Sequence, residues 1–433
     1  AMVANTCGSK NTASGFKSLE QNTTGSDNTA SGYYALKLNT TGEYNTAIGR
    51  TALYSNTTAS YNTAVGRHAL YWNITGALNT ATGVNALKAN STGQRNTASG
   101  VNALYTNTTG SNNTASGYQA LYANTTGSSS VAIGACAGRK NTTALVTAVG
   151  NFALCSNTTG YRNTAVGSSA LRMNIGGGYN VSIGTKSLYA NTTGSHNTAS
   201  GMYALKSNTT ASYNTAVGGC TLYANTTGAN NTGVGYKAMV ANTCGKENVA
   251  VGSGALGTYN TAIGTNSLQA NITGSANTAS GYRALQCNTT GCSNTASGYQ
   301  ALTKNTTAHY NTAHGRKVLC DNTTGGCNTA SGNYSMGCNT VGYMNTATGF
   351  SSLVFNTTGA LNTASGYRTM YFNGAGSYNT ATGWYTLESN SGSNNTATGN
   401  QAMRCNQSGC LNTASGAYAL YSNTTANYNT AVG

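Results

Sequence analysis

The sequence predicts an all-β fold, a parallel β-solenoid of about 25 coils with a 17-residue repeat, and three observations lead to it. The pentapeptide Asn-Thr-Ala-x-Gly recurs throughout the chain, usually at intervals of 17 residues. Most repeats contain Gly at two places, which disfavours a helix. The interval is also too short for helical-hairpin repeats, which need about 33–47 residues. Of the known repeat architectures, a stack of short extended segments is therefore the one that fits.

Numbering the consensus N-T-A-x-G-x-x-A-L-x-x-N-T-T-G-x-x from 1 to 17 gives each residue a repeat position. The pentapeptide starts at position 1 and recurs in the first part of the chain at Asn11, Asn28, Asn45, Asn62, Asn79, Asn96 and Asn113. Two extended segments, N-T-A-x-G and A-L-x-x-N, are expected to form one coil, with Gly-containing corners between them. Coils then stack at about 4.7–4.9 Å, so equal repeat positions form ladders.

The ladders divide into an inner frame and an outer surface. Positions 1, 2, 3, 5, 8, 9, 12 and 15 hold nearly constant residues and are predicted to form the frame, with Leu or Met at position 9 as the large apolar group of each coil. One buried Leu contributes only about 1.5–3 kcal/mol, less than the cost of ordering 17 residues. Backbone and Asn/Thr ladders must therefore supply the rest, and no coil is expected to fold alone.

Three coils depart from the 17-residue interval. Coils 130–145 and 379–394 are one residue short, and coil 248–259 has lost the whole N-T-T-G leg. A stacked coil tolerates such a loss, because its neighbours still pair above and below it. We expect one continuous solenoid over residues 1–433. The chain begins at position 8 and stops at position 5, and residues 238–245 repeat residues 1–8, so we expect a window of a longer repetitive chain.

Composition excludes several classes of protein. Only 6% of residues are charged, there is no Pro, and Tyr is abundant with 29 residues, which argues against disorder and collagen. The net charge of +15 is spread thinly, and no basic run exceeds two residues, so nucleic-acid binding is not expected. The charge favours solubility and weak attraction to anionic surfaces. No apolar run of 18 residues is present, so no membrane span is predicted.

The outer surface carries Tyr, Lys and Arg at positions 6, 7, 10, 11, 16 and 17. Candidate contact residues at position 10 are Tyr54, Tyr71, Tyr105 and Tyr122. Tyr offers a flat apolar face with a polar tip, so these columns are interpreted either as sugar-binding surfaces or as stabilising stacks. Thr rows invite an ice-binding hypothesis, but interruption by Lys, Arg and Tyr is expected to argue against it.

Cysteine spacing gives candidate disulfides within single coils. The three pairs each straddle one turn: Cys287 with Cys292, Cys405 with Cys410, and Cys320 with Cys327. They would indicate an oxidising, extracellular setting; free thiols are the alternative. A bond from Cys136 to Cys155 on the adjacent coil is a further option. Cys7, Cys220, Cys244 and Cys338 have no evident partner.

Position 12 opens an Asn-x-Ser/Thr sequon in many coils. Candidate N-glycosylation sites are Asn22, Asn39, Asn56, Asn73, Asn107, Asn124, Asn208, Asn288 and Asn423. The alternative, which we favour, is a stacked Asn ladder, because sugars on every coil would lie only about 4.8 Å apart.

Catalytic and metal chemistry are not expected. The six acidic residues form no convincing carboxylate pair, the four His are scattered, and no Cys pair has metal-ligand spacing. No cofactor is therefore expected, and the sequence indicates a protein that is not an enzyme.

Three coils open with Ser130-Val131-Ala132-Ile133-Gly134, Asn180-Val181-Ser182-Ile183-Gly184 and Asn248-Val249-Ala250-Val251-Gly252. They resemble the head repeat of YadA-like trimeric adhesins, and the 17-residue consensus is similar to repeats of phage tail-fibre proteins. The resemblance implies a β-roll on a cell surface or fibre, with self-association into a fibre or homo-oligomer. The expected function is an extracellular structural fibre or stalk. The alternative is an adhesin that binds a receptor or surface glycan through its Tyr columns.

Overall fold

A computed structural model of the chain describes residues 1–255 and 259–433 and confirms the all-β parallel solenoid with its 17-residue spacing. These residues divide into two units, Ala1–Ala229 and Asn230–Gly433. These residues contain no helix, and so no helix long and apolar enough to cross a membrane. Every strand is three residues long and occupies repeat positions 2–4. That one solenoid runs through residues 1–433 stays a prediction.

The first unit contains strands β1 to β13. In chain order they are Thr12–Ser14, Thr29–Ser31, Thr46–Ile48, Thr63–Val65, Thr80–Thr82, Thr97–Ser99, Thr114–Ser116, Val131–Ile133, Thr147–Val149, Thr164–Val166, Val181–Ile183, Thr198–Ser200 and Thr215–Val217. The second unit contains β14 to β26. They are Thr232–Val234, Val249–Val251, Thr261–Ile263, Thr278–Ser280, Thr295–Ser297, Thr312–His314, Thr329–Ser331, Thr346–Thr348, Thr363–Ser365, Thr380–Thr382, Thr396–Thr398, Thr413–Ser415 and Thr430–Val432.

Within each unit, successive strands pair in parallel and in register, so equal positions stack. Thr12 pairs with Thr29 and Ala13 with Ala30, for example. The irregular coils keep this register: Val131 pairs with Thr147, Val249 with Thr261, and Thr380 with Thr396. Residues 256–258 of the 12-residue coil lie outside the described residues. Deleting a leg therefore leaves the strand ladder intact on both sides.

The core of a typical coil is thin. It consists of Ala at position 3, Ala at position 8 and Leu at position 9, as at Ala47, Ala52 and Leu53, all with no exposed surface. The predicted frame is confirmed at positions 1, 3, 8, 9, 12 and 15. Position 2 differs, because its side chain points outward from the strand, as the partly or fully exposed Thr29 and Thr46 show.

The second predicted extended segment is wrong. Residues at positions 7, 9 and 17 adopt the left-handed backbone conformation, as in Leu53 with φ of 50° and Tyr61 with φ of 62°. This conformation bends the chain sharply, so A-L-x-x-N forms a turn instead of a strand. Its amides still pair with the next coil, because Leu53 N donates to Ala69 O at 3.0 Å and Ser55 N to Tyr71 O at 3.0 Å.

Two buried Asn ladders connect the coils. At position 12, Asn107 Nδ2 donates to Asn90 Oδ1 at 2.8 Å and to Gly110 O at 2.9 Å. At position 1, Asn96 Nδ2 donates to the same Gly110 O at 2.8 Å, and its backbone amide donates to Asn79 Oδ1 at 3.0 Å. Each amide side chain thus closes a turn in its own coil and bonds to a neighbouring coil, which satisfies buried polar groups.

Candidate functional site

The sequon asparagines at position 12 lie inside the solenoid. Eight of the nine have no exposed surface: Asn22, Asn39, Asn56, Asn73, Asn107, Asn124, Asn208 and Asn288. Asn423 is half-buried, and its Nδ2 donates to Asn406 Oδ1 at 2.8 Å. Nδ2 is the atom that would carry a glycan. In the folded chain this atom donates to two protein acceptors, which is the stacked Asn ladder favoured from the sequence, and glycosylation stays the untested alternative.

The four candidate Tyr residues at position 10 form two stacked pairs in the first unit, one on each side of Lys88. Tyr54 and Tyr71 are stacked with ring centroids 5.1 Å apart and an interplanar angle of 4°, and Tyr105 and Tyr122 with 5.1 Å and 6°. Within each pair, one face of each ring is covered by the other ring, so the stacks stabilise the coils that carry them. Sugar binding by these residues stays a prediction.

Within each unit, positions 6, 7, 10 and 11 share an outer surface, which we call the cation–aromatic face. Position 7 of one coil touches position 10 of the next, as in the Tyr34–Tyr54 ring contact at 6.1 Å. Position 6 touches position 7 across coils, as in Arg316 above the ring of Tyr334 at 5.2 Å. The alternation of aromatic and cationic residues makes many such cation–π contacts.

Most cations of the first unit lie on this face. They are Lys17, Lys37, Arg50, Arg67, Lys88, Arg139, Lys140, Arg172, Lys186 and Lys206, while Lys10, Arg95 and Arg162 stand at position 17. Glu20 is the one acidic residue of the unit on this face, where it pairs with Lys17 at 3.1 Å and Lys37 at 3.6 Å. The sequence reading of thinly spread charge missed this sorting, which becomes evident once repeat positions are mapped onto faces.

The electrostatics of the face follow from these contacts. The hydrogen bond from Lys17 lowers the pKa of Glu20, and burial has the opposite, smaller effect. The hydrogen bond to Tyr223, with Nζ and Oη 2.8 Å apart, raises the pKa of Lys206. Burial, helped by Arg67, lowers the pKa of His68. At neutral pH Lys206 is therefore charged, Glu20 is ionised and His68 is neutral, and the cations of the face in the first unit outnumber its single carboxylate.

The second unit contains an ion-pair triad that sequence reasoning missed. Glu388, 7% exposed, accepts from Arg368 at 3.3 Å and from Arg404 at 2.7 Å, and the three residues stand on three successive coils. The hydrogen bond to Glu388 raises the pKa of Arg404 further above its usual range. Opposite charges at outer positions of consecutive coils were the signal that would have revealed the triad.

The twelve cysteines all lie in the described residues, and none forms a disulfide there. Cys292 and Cys410 at position 16 take the role that Ser has in other coils. The amide of Ser275 donates to Cys292 Sγ at 3.4 Å and that of Ser393 to Cys410 Sγ at 3.3 Å, as the amide of Glu43 does to Ser60 Oγ at 3.0 Å. Their partners in the predicted pairs, Cys287 and Cys405, are exposed and half-buried, respectively. Both pairings stay predictions.

Cys320 lies in a cavity of about 340 Å³ in the second unit. Cys338 lines this cavity too, whereas the predicted partner Cys327 is exposed and does not. Burial, with a smaller contribution from Asp321, raises the pKa of the Cys320 thiol to about 11. Lys304 and Asp321 at the cavity wall pair at 2.8 Å. Cys136 and Cys155 are both buried, and burial and the proximity of Cys136 raise the pKa of Cys155.

Within residues 1–255 and 259–433, no group of three or more His, Cys, Asp or Glu side chains is placed to hold a metal ion. Comparison with models of known protein families finds no match, and comparison with curated proteins finds no significant relative. The resemblance to YadA-like and tail-fibre repeats accordingly stays a prediction.

Proposed function

We propose that this chain is a structural fibre or stalk protein outside the cell, in which stacked coils provide length and mechanical continuity. The observation that carries this proposal is the pair of buried Asn ladders. They connect each coil to its neighbours through side chains as well as through backbone amides, even though each coil buries little apolar surface. Each interface between coils is therefore held by side-chain as well as backbone hydrogen bonds against a force along the stack. An in-register parallel stack can also be extended by the same geometry, which supports self-association into a fibre.

Single-molecule force spectroscopy on the full chain, held by tags at its two termini, tests this function. A shaft is expected to lengthen in many steps of about 50 Å, the contour length of 17 residues less the coil spacing. An Asn107→Asp variant should lower the force of the earliest steps, and Asn151→Asp, at an exposed position, should not. Extension in one event at negligible force would contradict the proposal.

The extracellular location is part of this proposal and rests on the resemblance to surface and fibre repeats. Intact cells of the native source can be treated with a membrane-impermeant amine reagent. Modification of exposed lysines such as Lys304, with a cytosolic protein unmodified in the same sample, is the expected result. Labelling only after lysis would contradict an extracellular location.

The second candidate function is an adhesin for anionic surface glycans. The sorting of cations onto the cation–aromatic face of the first unit favours it, because a row of positive charge complements a linear polyanion. A glycan array with Tyr54→Ala plus Tyr71→Ala is the test. The matched control is Tyr44→Ala plus Tyr61→Ala, a stacked pair at position 17 with centroids 4.9 Å apart. Specific binding lost only in the first variant supports the adhesin, and an array without specific binding contradicts it.

A further inference from the structure

The outward side of the strands forms a third surface, distinct from the aromatic and cationic columns. Positions 2 and 4 point outward on either side of the buried Ala at position 3, as in Thr346, Ala347 and Thr348. In β17 to β25 of the second unit, position 2 is always Thr. Position 4 is Ser or Thr except at His314. We call the outward side of these nine strands the hydroxyl face.

Lys, Arg and Tyr do not interrupt this face. They stand at positions 6, 7, 10, 11, 16 and 17, which the fold directs to other sides of the solenoid. The expectation that such residues break up the Thr rows was therefore wrong, because it treated positions adjacent in sequence as adjacent on one surface. No charged Lys, Arg, Asp or Glu side chain occurs at positions 2 and 4 of β17 to β25.

The hydroxyl groups of this face are not used by the protein. In the described residues, no Thr at position 2 and no Ser or Thr at position 4 of β17 to β25 forms a side-chain hydrogen bond within the chain. Thr at position 13 behaves differently: Thr289 Oγ1 donates to Thr306 O at 3.0 Å and Thr323 Oγ1 to Thr340 O at 3.0 Å. One Thr column serves the fold, and the other presents free hydroxyls to solvent.

The hydroxyl groups of this face stand in two rows that repeat in register from strand to strand. The in-register pairing, for example Thr346 with Thr363 and Thr348 with Ser365, repeats each row at the strand spacing of about 4.7–4.9 Å. The two rows lie two residues apart, which is about 6.6 Å along a strand. The strand spacing is close to the shorter oxygen repeat on a prism face of hexagonal ice, so the hydroxyl rows match that lattice along the stacking direction.

We propose that the hydroxyl face binds the surface of ice, so that the protein restrains ice growth in addition to its structural role. β-Propensity explains Thr at position 2, since β-branched residues are favoured in strands. It does not explain Ser at position 4, nor the lack of charge on so large an exposed surface. A second copy of the chain is a poorer occupant, because stable interfaces between identical subunits are enriched in apolar groups. This face is enriched in hydroxyls instead.

The first unit offers an internal contrast. There, β8 to β11 carry Ile133, Val149, Val166 and Ile183 at position 4, so the second row is aliphatic. A face with one hydroxyl row and one aliphatic row bonds to fewer lattice oxygens. Lysine substitutions in β8 to β11 should therefore affect ice binding less than the same change in β17 to β25.

The test is inhibition of ice recrystallisation by the full chain, with Thr346→Lys and Thr358→Lys as matched variants. Both residues belong to the same coil and are exposed, and neither hydroxyl is bonded within the chain; Thr346 lies on the hydroxyl face and Thr358 at position 14. Wild type and Thr358→Lys should inhibit at the same concentration. Thr346→Lys should need at least about tenfold more, a factor equivalent to ~1.4 kcal/mol.

Circular dichroism melting shows whether each variant is folded, and the wild-type measurement is independent of the variants. A wild type that acts no better than serum albumin at equal concentration overturns the proposal. Equal activity of the two variants overturns the assignment to this face. An oligomer in sedimentation analysis that dissociates in Thr346→Lys, without activity on ice, would show instead that a second copy covers the face.

Discussion

Replacing Asn107 by Asp tests whether the position-12 ladder stabilises the solenoid. The substitution keeps the shape of the side chain and removes the NH₂ group, which donates to Asn90 Oδ1 at 2.8 Å and to Gly110 O at 2.9 Å. The oxygen that accepts from Asn124 Nδ2 at 2.9 Å remains. The change is therefore confined to two hydrogen bonds in a fully buried site.

The size of the destabilisation depends on whether each acceptor keeps another hydrogen-bond donor after the substitution. Asn90 Oδ1 has no other donor and is left unsatisfied, which costs about 1–3 kcal/mol. Gly110 O keeps the bond from Asn96 Nδ2, so its loss is nearer the ordinary value of about 0.5–1.5 kcal/mol. We expect a loss of about 2–4 kcal/mol in the free energy of unfolding, and more where the new carboxyl group is ionised beside two carbonyl oxygens.

The pH dependence distinguishes this mechanism from general damage. Burial and nearby oxygens favour the neutral acid, so the pKa of the new Asp should be raised in the folded state. Its charge penalty is then absent below the unfolded pKa of about 3.9 and grows as pH rises through the folded value. Urea unfolding monitored by circular dichroism from pH 4 to pH 8 should show the deficit of the variant shrinking, at the acidic end, to the loss caused by the two missing hydrogen bonds alone.

Asn151→Asp is the matched control, because Asn151 is exposed and its side chain has no partner in the described structure. It introduces the same charge with almost no change in the free energy of unfolding. The reasoning is refuted if Asn107→Asp unfolds at the same urea concentration as Asn151→Asp throughout this pH range. Hydrogen exchange adds a local readout, since amides of the adjoining coils should lose protection first.

Gly66→Ala should destabilise the chain by at least about 2 kcal/mol, because φ is +132° and the new Cβ would lie 2.6 Å from Gly83 O. Gly176→Ala, which meets only Thr159 Oγ1 at 3.3 Å, should melt within a degree or two of wild type, and equal melting of both variants would contradict this. Cys320, with a pKa near 11, should react with iodoacetamide at pH 8 about 100-fold more slowly in the native chain than in urea. Peptide mass spectrometry measures this, and equal rates would show that the thiol is not buried. In a glycosylating secretory host, the folded fraction should carry no sugar on Asn107, and a glycopeptide from protease-resistant material would contradict the ladder.

The fold was predictable because the repeat itself encodes it. A 17-residue interval with Ala at positions 3 and 8 and Leu at position 9 leaves only a thin stacked coil, and the structure has this coil. The backbone of positions 7, 9 and 17 was not predictable. Leu and Tyr have no intrinsic preference for positive φ, yet Leu53 and Tyr61 adopt it. The ladder bonds of neighbouring coils impose that conformation, and a single coil's sequence does not contain them.

The candidate sites were predictable only in part. The position-10 Tyr residues were found by counting repeat positions, and the structure shows their stacked pairs. The position of Cys338 beside Cys320, across two coils, could not be found, since spacing within one coil says nothing about diagonal neighbours. The Glu388 triad also joins residues of successive coils, but there the opposite charges at outer positions gave a usable signal. To predict a contact between two coils, one must know which side of the solenoid each repeat position faces. The turns within the coil determine those directions.

The separation of the ladders from the outer faces has a consequence for function. Stability between coils comes from Asn at positions 1 and 12, whose side chains point inward, and from backbone amides that every residue supplies. Apart from the nearly buried Glu388 triad, the outer positions contribute cation–π contacts and exposed ion pairs, which are individually weak. Substitution on one face should therefore leave the stack and the other faces intact. A structural role, contact through the cation–aromatic face and ice binding through the hydroxyl face can accordingly be tested one at a time, each with a folded variant of the same chain.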